Sequence, residues 1–270
     1  MLRIGIVGAG AIGKEIARAI DDGTIPARIA AIWDRQVGEA EEFAASLRQK
    51  PKVLPLQELV QECNVVVEAA SQAAVREVAV AALSNSKSVM IMSVGALSDK
   101  QLLEQIRSLA KEHHCNIYVP SGAIGGLDAV KSASIKGIEC VTITTRKPAK
   151  GLKGAPFVVK NNIDIERFTR PTEIFSGPAA IAIKEFPANV NVAASLSLVG
   201  IGFEKTIVKV VVDPTITRNI HEIQVKGDFG DFHAKIENVP SETNPRTSYL
   251  AALSAIATLK QVCEPLKIGT

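Results

Sequence analysis

The stretch Ile4–Ile20, "IGIVGAGAIGKEIARAI", decides how the first part of the chain folds. It starts as an apolar run, passes through Gly8, Gly10 and Gly13, and leaves with apolar residues at helical spacing. A strand that turns through glycines into a helix offers free backbone N–H groups to an anion. Gly8 permits the tight turn, and Gly10 leaves the backbone open to a pyrophosphate. Gly13 lets the helix pack close to the strand, and Ala11 and Ile12 supply N–H groups at the helix start. The spacing G-x-G-x-x-G is weak evidence alone. It gains weight from Asp34, 21 residues past Gly13 at the end of the next apolar run, where a carboxylate takes ribose hydroxyls. Asp34 repels a 2′-phosphate and favours NAD, whereas the adjacent Arg35 is able to pair with one, so NADP stays open.

Working outward, short β-rich runs alternate with helical patterns through the first 120 residues. "LRIGIVG", "RIAAIW", "NVVVEAA", "SVMIMS" and "NIYVP" read as strands. The segments Ala11–Asp21, Glu39–Leu47, Ala73–Leu83 and Asp99–His113 read as helices. Strands apolar on both faces and separated by helices call for a Rossmann-type doubly wound parallel sheet with right-handed crossovers. Ligands in such folds bind beyond the carboxyl ends of the strands. There lie "EAAS" (Glu68–Ser71) and "SVGA" (Ser93–Ala96), whose small residues, Ala70 and Ser93 among them, leave room for a cofactor ribose.

After "PSGAIGG" the texture changes to alternating strands: "GIECVTITTRK", "KTIVKVVVD", "IHEIQVK" and "FHAKIE". "KGDFGD" is a hairpin turn, because glycine and aspartate tolerate positive φ. The Pro- and Gly-bearing stretch Lys147–Lys160 reads as a surface loop, and Asn189–Leu198 as a helix. A last helix, Pro245–Val262, is opened by Asn244 as cap and Pro245 at its first position. The expected plan is a dinucleotide-binding domain over 1–122, to which the segment 245–270 returns. A mixed α/β domain on a mostly antiparallel sheet fills 123–244 and carries the substrate site and a homodimer interface.

Composition narrows the function classes. Hydrophobic residues make up 47% of the 270 and charged residues 22%, the balance of an ordinary soluble domain protein. A net charge of +3 with scattered basic residues gives no reason to expect a nucleic-acid partner. No apolar stretch reaches the roughly 18 residues of a membrane helix. The four cysteines lie far apart without a CxxC pair, which points to neither a metal site nor a disulfide framework and suits a cytoplasmic location.

Four histidines compete for acid–base work. His113 and His114 end a helix, and His233 shares a polar face with Lys235 and Glu237. His221 differs: on "NIHEIQVKG" it shares its face with Ile223 and Val225, the apolar side. A satisfied core histidine and a catalytic one both fit that pattern.

Read together, "RIGIVGAGAIG", "VVVEAAS", "MSVGAL", "VPSGAIGGLDA", "FPANVNVAASLSLVG", "VDPTITRNIHEI" and "NPRTSYLAALSAI" resemble the L-aspartate dehydrogenase family. The resemblance runs in order over most of the chain. It implies that His221 is catalytic and that Ala123 and Asn189 contact the cofactor. The implied reaction is the reversible NAD(P)-dependent oxidation of L-aspartate to iminosuccinate, which hydrolyses to oxaloacetate and ammonia. A supply of iminosuccinate to NAD biosynthesis is among the uses it suggests. A dicarboxylate needs cations or N–H donors. Arg246 and Thr247, with Asn191 nearby, are the candidates, and Arg218 or Lys131 are the substitutes. Another Rossmann imino-acid reductase, or an NAD-binding sensor without turnover, is the alternative.

Overall fold

The computed structural model describes residues 1–187, 190–241 and 247–269, and the chain divides into two compact units. One is Met1–Pro120 with Ala252–Lys267, and the other is centred on Ser121–Ala251.

The first unit is built on a six-stranded parallel sheet: β1 (Leu2–Val7), β2 (Ala27–Trp33), β3 (Lys52–Val53), β4 (Val65–Glu68), β5 (Ser88–Ile91) and β6 (Ile117–Tyr118). Their order is β3-β2-β1-β4-β5-β6, the doubly wound arrangement that the alternating pattern predicts. The crossovers carry α1 (Ala11–Asp21), α2 (Val37–Ser46), α3 (Leu56–Glu62), α4 (Val75–Ser84) and α5 (Lys100–Glu112). All of β4 and most of β1 and β5 are buried, as strands covered on both faces must be. Asp99 starts α5 by accepting the Leu102 N–H at 3.1 Å.

In the second unit the helices are α6 (Leu127–Ala133), α7 (Ala149–Leu152), α8 (Pro156–Lys160), α9 (Ala179–Glu185) and α10 (Asn191–Val199). The strands are β7 (Ile138–Lys147), β8 (Thr172–Pro178), β9 (Ile207–Val212), β10 (Asn219–Gly227) and β11 (Gly230–Asn238), in the order β11-β10-β7-β9-β8. Only the β7–β9 pair is parallel, so the sheet is mostly antiparallel. The final helix, α11 (Tyr249–Cys263), sends Ala255 and Leu259 into the core formed with β1, β2 and α1 of the first unit.

Two readings need correction: the last helix begins at Tyr249, after the non-helical Thr247 and Ser248, and the stretch after β7 is helical. Lys147–Lys160 is not a surface loop: Lys147 ends β7 inside the unit, and α7 and α8 follow with Leu152 and Val158 buried. Pro148 and Pro156 open these helices instead of marking a loop, since proline is preorganised for a first helical turn. Phe157 of α8 meets Phe175 edge-to-face and Phe186 at a tilt, at centroid distances of 5.4 and 5.3 Å, an apolar anchor that holds the segment down. The edge strand β8, with its Gly-Pro end, passes without a sequence signal because edge strands tolerate such residues. The α10 helix begins at Asn191. Asn189, Asn244, Pro245 and Arg246 lie outside the described residues.

Candidate active site

In the first unit the glycine turn forms as its spacing requires. Gly8 has φ +102°, and a Cβ there would meet the Ala69 carbonyl at 2.6 Å. At Gly13 a Cβ would collide with the Gly8 carbonyl oxygen, so only glycine lets α1 sit this close to the turn. Gly10 is different: apart from its chain neighbours the described residues leave open space around it, and none of their side chains caps the first turn of α1 where Ala11 and Ile12 lie. The chain itself therefore does not need glycine at position 10, whereas a ligand pressed against the backbone would.

Asp34 accepts the Ala9 N–H at 2.7 Å and the Gln36 N–H at 2.9 Å. Its carboxylate thus braces the glycine turn and keeps lone pairs free for hydroxyl donors. Gly8, Gly10, Asp34, Arg35, Ala70 and Ser71 help line a cavity of about 340 Å³. Behind it, Glu68 ties two loops together. Its carboxylate accepts the Ala70 N–H, the Ser93 N–H and the Ser93 hydroxyl, each at 2.9 Å. Ser93 is thus buried, its hydroxyl engaged in holding the loop after β5. Burial pushes the Glu68 carboxyl above its usual range, against the pull of the Ser93 and Ala70 donors. Open backbone, a ribose-ready carboxylate and a cavity together fit a dinucleotide.

The second unit carries a different cluster. On the buried face of its sheet, Val141 and Ile143 of β7 and Ile223 and Val225 of β10 form an apolar stretch. Towards the end of β7 the same face turns polar. His221 pairs across the strands with Thr145, and Thr145 Oγ1 lies 3.0 Å from His221 Nδ1. One step on, Asn219 faces Asn238 of β11 and shares the face with Lys147. All five side chains are buried, with His221 only 2% and Lys147 3% exposed. Asn219 Nδ2 donates to Ser248 Oγ at 3.4 Å, which ties Ser248 to this end of the sheet, and the Thr247 carbonyl accepts the Ser241 N–H at 2.8 Å. From the other side Asn238 Nδ2 donates to the Ala123 carbonyl at 2.9 Å.

Electrostatics separate the two basic groups. Burial, reinforced by the nearby Lys147 charge, pushes the His221 pKa down from 6.5 to about 3. The imidazole is neutral at physiological pH, whereas its ordinary value would leave it half protonated near pH 6.5. Burial also pushes Lys147 down from 10.5 to about 8. The face thus presents a neutral nitrogen base beside an ammonium that gives up its proton unusually easily.

Of the residues singled out in the sequence, the structure gathers the glycine turn, Asp34, Arg35 and Ala70 around one cavity. His221, Ala123 and Thr247 lie in the second unit, the first two linked to the polar cluster through Thr145 and Asn238. Asn191 is partly buried at the start of α10, while Arg218 and Lys131 are exposed. His113 caps the end of α5, and His233 is exposed on the polar side of β11. Sequence reasoning missed Lys147, Asn219 and Asn238. A β7 strand whose buried positions run Val141, Ile143, Thr145, Lys147 was the available signal for Lys147.

Residues 128–262 match the family model "Aspartate dehydrogenase, C-terminal", and residues 8–120 match "Homoserine dehydrogenase, NAD binding domain". The L-aspartate dehydrogenase of Methanocella arvoryzae is 75% identical over the full length of both chains, and that of Methanosarcina acetivorans 52%. The crystal structure of aspartate dehydrogenase from Thermotoga maritima aligns over 100% of each chain at 29% identity with a TM-score of 0.75. With full-length relatives at such identity and a dehydrogenase model matched on each unit, this chain belongs to the L-aspartate dehydrogenase family.

Proposed function

We propose that the protein oxidises L-aspartate with a pyridine nucleotide to iminosuccinate, which water converts to oxaloacetate and ammonia, and that it runs the reverse reductive amination. The observation that carries this reading is the polar end of the second sheet, where a neutral imidazole and a buried ammonium share one face. A bound pyridine nucleotide supplies the hydride acceptor for the aspartate α-hydrogen. Gly8, Gly10, Ala11, Ile12 and Gly13 hold its pyrophosphate, Asp34 its adenosine ribose, and Ala70, Ser93, Ala123 and Asn189 its nicotinamide half. Asp34 makes NAD the preferred form, with Arg35 the group through which NADP would be accepted.

His221 takes the proton released from the substrate α-nitrogen as the carbon–hydrogen bond breaks, and returns it in the reverse direction. Its lowered pKa keeps the ring in the base form in which oxidation starts, and a bound anionic substrate that offsets the Lys147 charge raises its affinity for the proton it takes. Lys147 takes a substrate carboxylate, a role for which exposed Arg218 and Lys131 are poorly placed, because a desolvated cation binds an anion more strongly than a hydrated one. Asn191, Arg246 and Thr247 complete the carboxylate contacts. The protein acts in the cytoplasm as a homodimer through the solvent-facing side of the second sheet, where Thr142, Thr144 and Arg146 are partly exposed. Among the described residues no helix is long and apolar enough to cross a membrane.

The test is NADH oxidation with oxaloacetate plus ammonium against pyruvate plus ammonium. A site built for two carboxylates disfavours pyruvate by about 10-fold or more in kcat/KM. Equal efficiency with pyruvate removes the aspartate assignment and leaves the dehydrogenase fold standing.

A further inference from the structure

Asn238 closes the polar end of the second sheet from its β11 side. The strand register sets it opposite Asn219, one step beyond the His221–Ile236 pair and on the same face. It is 3% exposed, and its amide nitrogen donates to the Ala123 carbonyl. That bond fixes which way the amide points, since a carbonyl oxygen accepts only from the NH2 end. The amide oxygen is therefore held on the other side, and among the described residues it is buried with no hydrogen-bond partner. Buried acceptors are satisfied in the great majority of proteins, and an orphan at a candidate site asks for a donor from outside the chain.

The chemistry of that donor is restricted. Ionised carboxylates and phosphates only accept, so neither the substrate's two acid groups nor the pyrophosphate answers the Asn238 oxygen. An N–H or O–H group does. The α-nitrogen carries an N–H in both L-aspartate and iminosuccinate, and on the cofactor the nicotinamide carboxamide and the ribose hydroxyls are donors as well. Position favours the α-nitrogen. The orphan oxygen shares its face with His221, the group assigned to the proton on that same nitrogen. Lys147 and Asn238 flank Asn219 from either side, on strands about 10 Å apart across β10. A cation on one flank and an acceptor on the other match a small molecule with a carboxylate at one end and a nitrogen nearby.

We propose that Asn238 binds the substrate α-nitrogen through its side-chain oxygen, and so selects amino and imino acids over dicarboxylates that lack nitrogen. This rests on the aspartate reading above. The experiment measures three constants in wild type and Asn238→Leu: KM for L-aspartate, the inhibition constant of succinate, and the dissociation constant of NADH from fluorescence titration. Succinate keeps both carboxylates and lacks the nitrogen. The expected result is a KM for aspartate raised about 10-fold or more, with the succinate and NADH constants within about threefold of wild type. A rise in the NADH constant with an unchanged aspartate-to-succinate ratio puts the role of Asn238 at the cofactor, directly or through the Ala123 carbonyl, and overturns the proposal. No change, or a parallel rise for aspartate and succinate, overturns it in favour of a packing role. If the leucine variant fails to fold, Asn238→Ser is read on the same constants by the same criteria. A wild-type enzyme without aspartate turnover would remove the proposed function first, and this proposal with it, before any variant is compared.

Discussion

The two candidate ligand regions are built from different materials. The glycine turn of the first unit is made of backbone, and its parts lie within residues 8–34, with one carboxylate bracing them. The polar end of the second sheet is made of side chains from three strands, drawn from residues 145 to 238 and assembled by strand register. A backbone site tolerates most changes that keep its shape and fails when a Cβ intrudes. A buried side-chain site should fail one residue at a time, each with its own kinetic signature. The sharpest way to break that contrast is His221→Asn. If the imidazole moves the proton, kcat falls by about 10²–10⁴ while NADH affinity holds. Near-normal turnover by this variant would reduce His221 to a core residue.

The same contrast explains what the sequence disclosed. The strand–glycine–helix unit was readable from local spacing, and the six-stranded sheet followed from apolar runs alternating with helices. His221 could be placed on the apolar face of its strand, and it is buried beside Ile223 and Val225. Its partners could not be read. Thr145 meets it across a separation of 76 residues, and no local pattern announces which strand lies beside which. Lys147 was hidden for another reason: a lysine before a Pro- and Gly-bearing stretch looks like the edge of a loop, which masks the alternation Val141, Ile143, Thr145, Lys147 that continues the buried face, and Gly151 of α7 packs against its stem. Asn238 sits at the end of a strand whose alternate residues are exposed, so its burial is set by the Ala123 loop from elsewhere in the chain.

Lys147 gives the next largest effect. Lys147→Met keeps much of the stem and removes the charge, so KM for aspartate and oxaloacetate should rise about 10–100-fold with a smaller change in kcat. In wild type the charge is lost as pH rises through about 8, so KM should climb above that pH and flatten in the variant. A KM independent of pH from 7 to 9 would place the carboxylate elsewhere. Stability offers a separate check. The folded His221 titrates at about 3 and the unfolded one near 6.5, so the unfolded chain binds the extra proton between them. The contribution of the neutral ring is full above pH 6.5 and is lost as pH falls towards 3. Denaturant midpoints from pH 7 to 4 should therefore fall more steeply in wild type than in His221→Asn.

In the first unit the matching experiment is Gly10→Ala. Apart from its own chain neighbours, no atom of the described residues lies within 4 Å of the added Cβ, and the backbone there has φ −76°, which alanine adopts freely. The melting temperature should stay within about 1–2 °C, while NAD affinity falls about 10-fold because the methyl stands where the pyrophosphate meets the backbone. Gly13→Ala should do the reverse, losing stability through the collision with the Gly8 carbonyl. Asp34→Ala should weaken NAD more than NADP, since the hydroxyl acceptor and the repulsion of a 2′-phosphate disappear together. Equal losses for both cofactors would mean that Asp34 matters only through its bonds to Ala9 and Gln36.

The smallest effect, and the finest test of the side-chain region, belongs to Thr145. Its hydroxyl is the protein partner found for His221 Nδ1, at 3.0 Å, and both groups are buried. Thr145→Val keeps the branched shape and removes the hydroxyl. The imidazole then has an unsatisfied nitrogen, at a cost of about 1–3 kcal/mol, and loses the contact that fixes its tautomer and ring orientation. If His221 is a base acting through Nε2, the ring must be held with that nitrogen unprotonated, which requires Nδ1–H to donate to the Thr145 oxygen. The variant should then lose about 3–10-fold in kcat, with KM for aspartate and NADH affinity unchanged. Thr145→Ser, which restores the hydroxyl, should recover most of that loss. A serine variant as slow as the valine one would show that the methyl packing, and not the hydrogen bond, orients the ring.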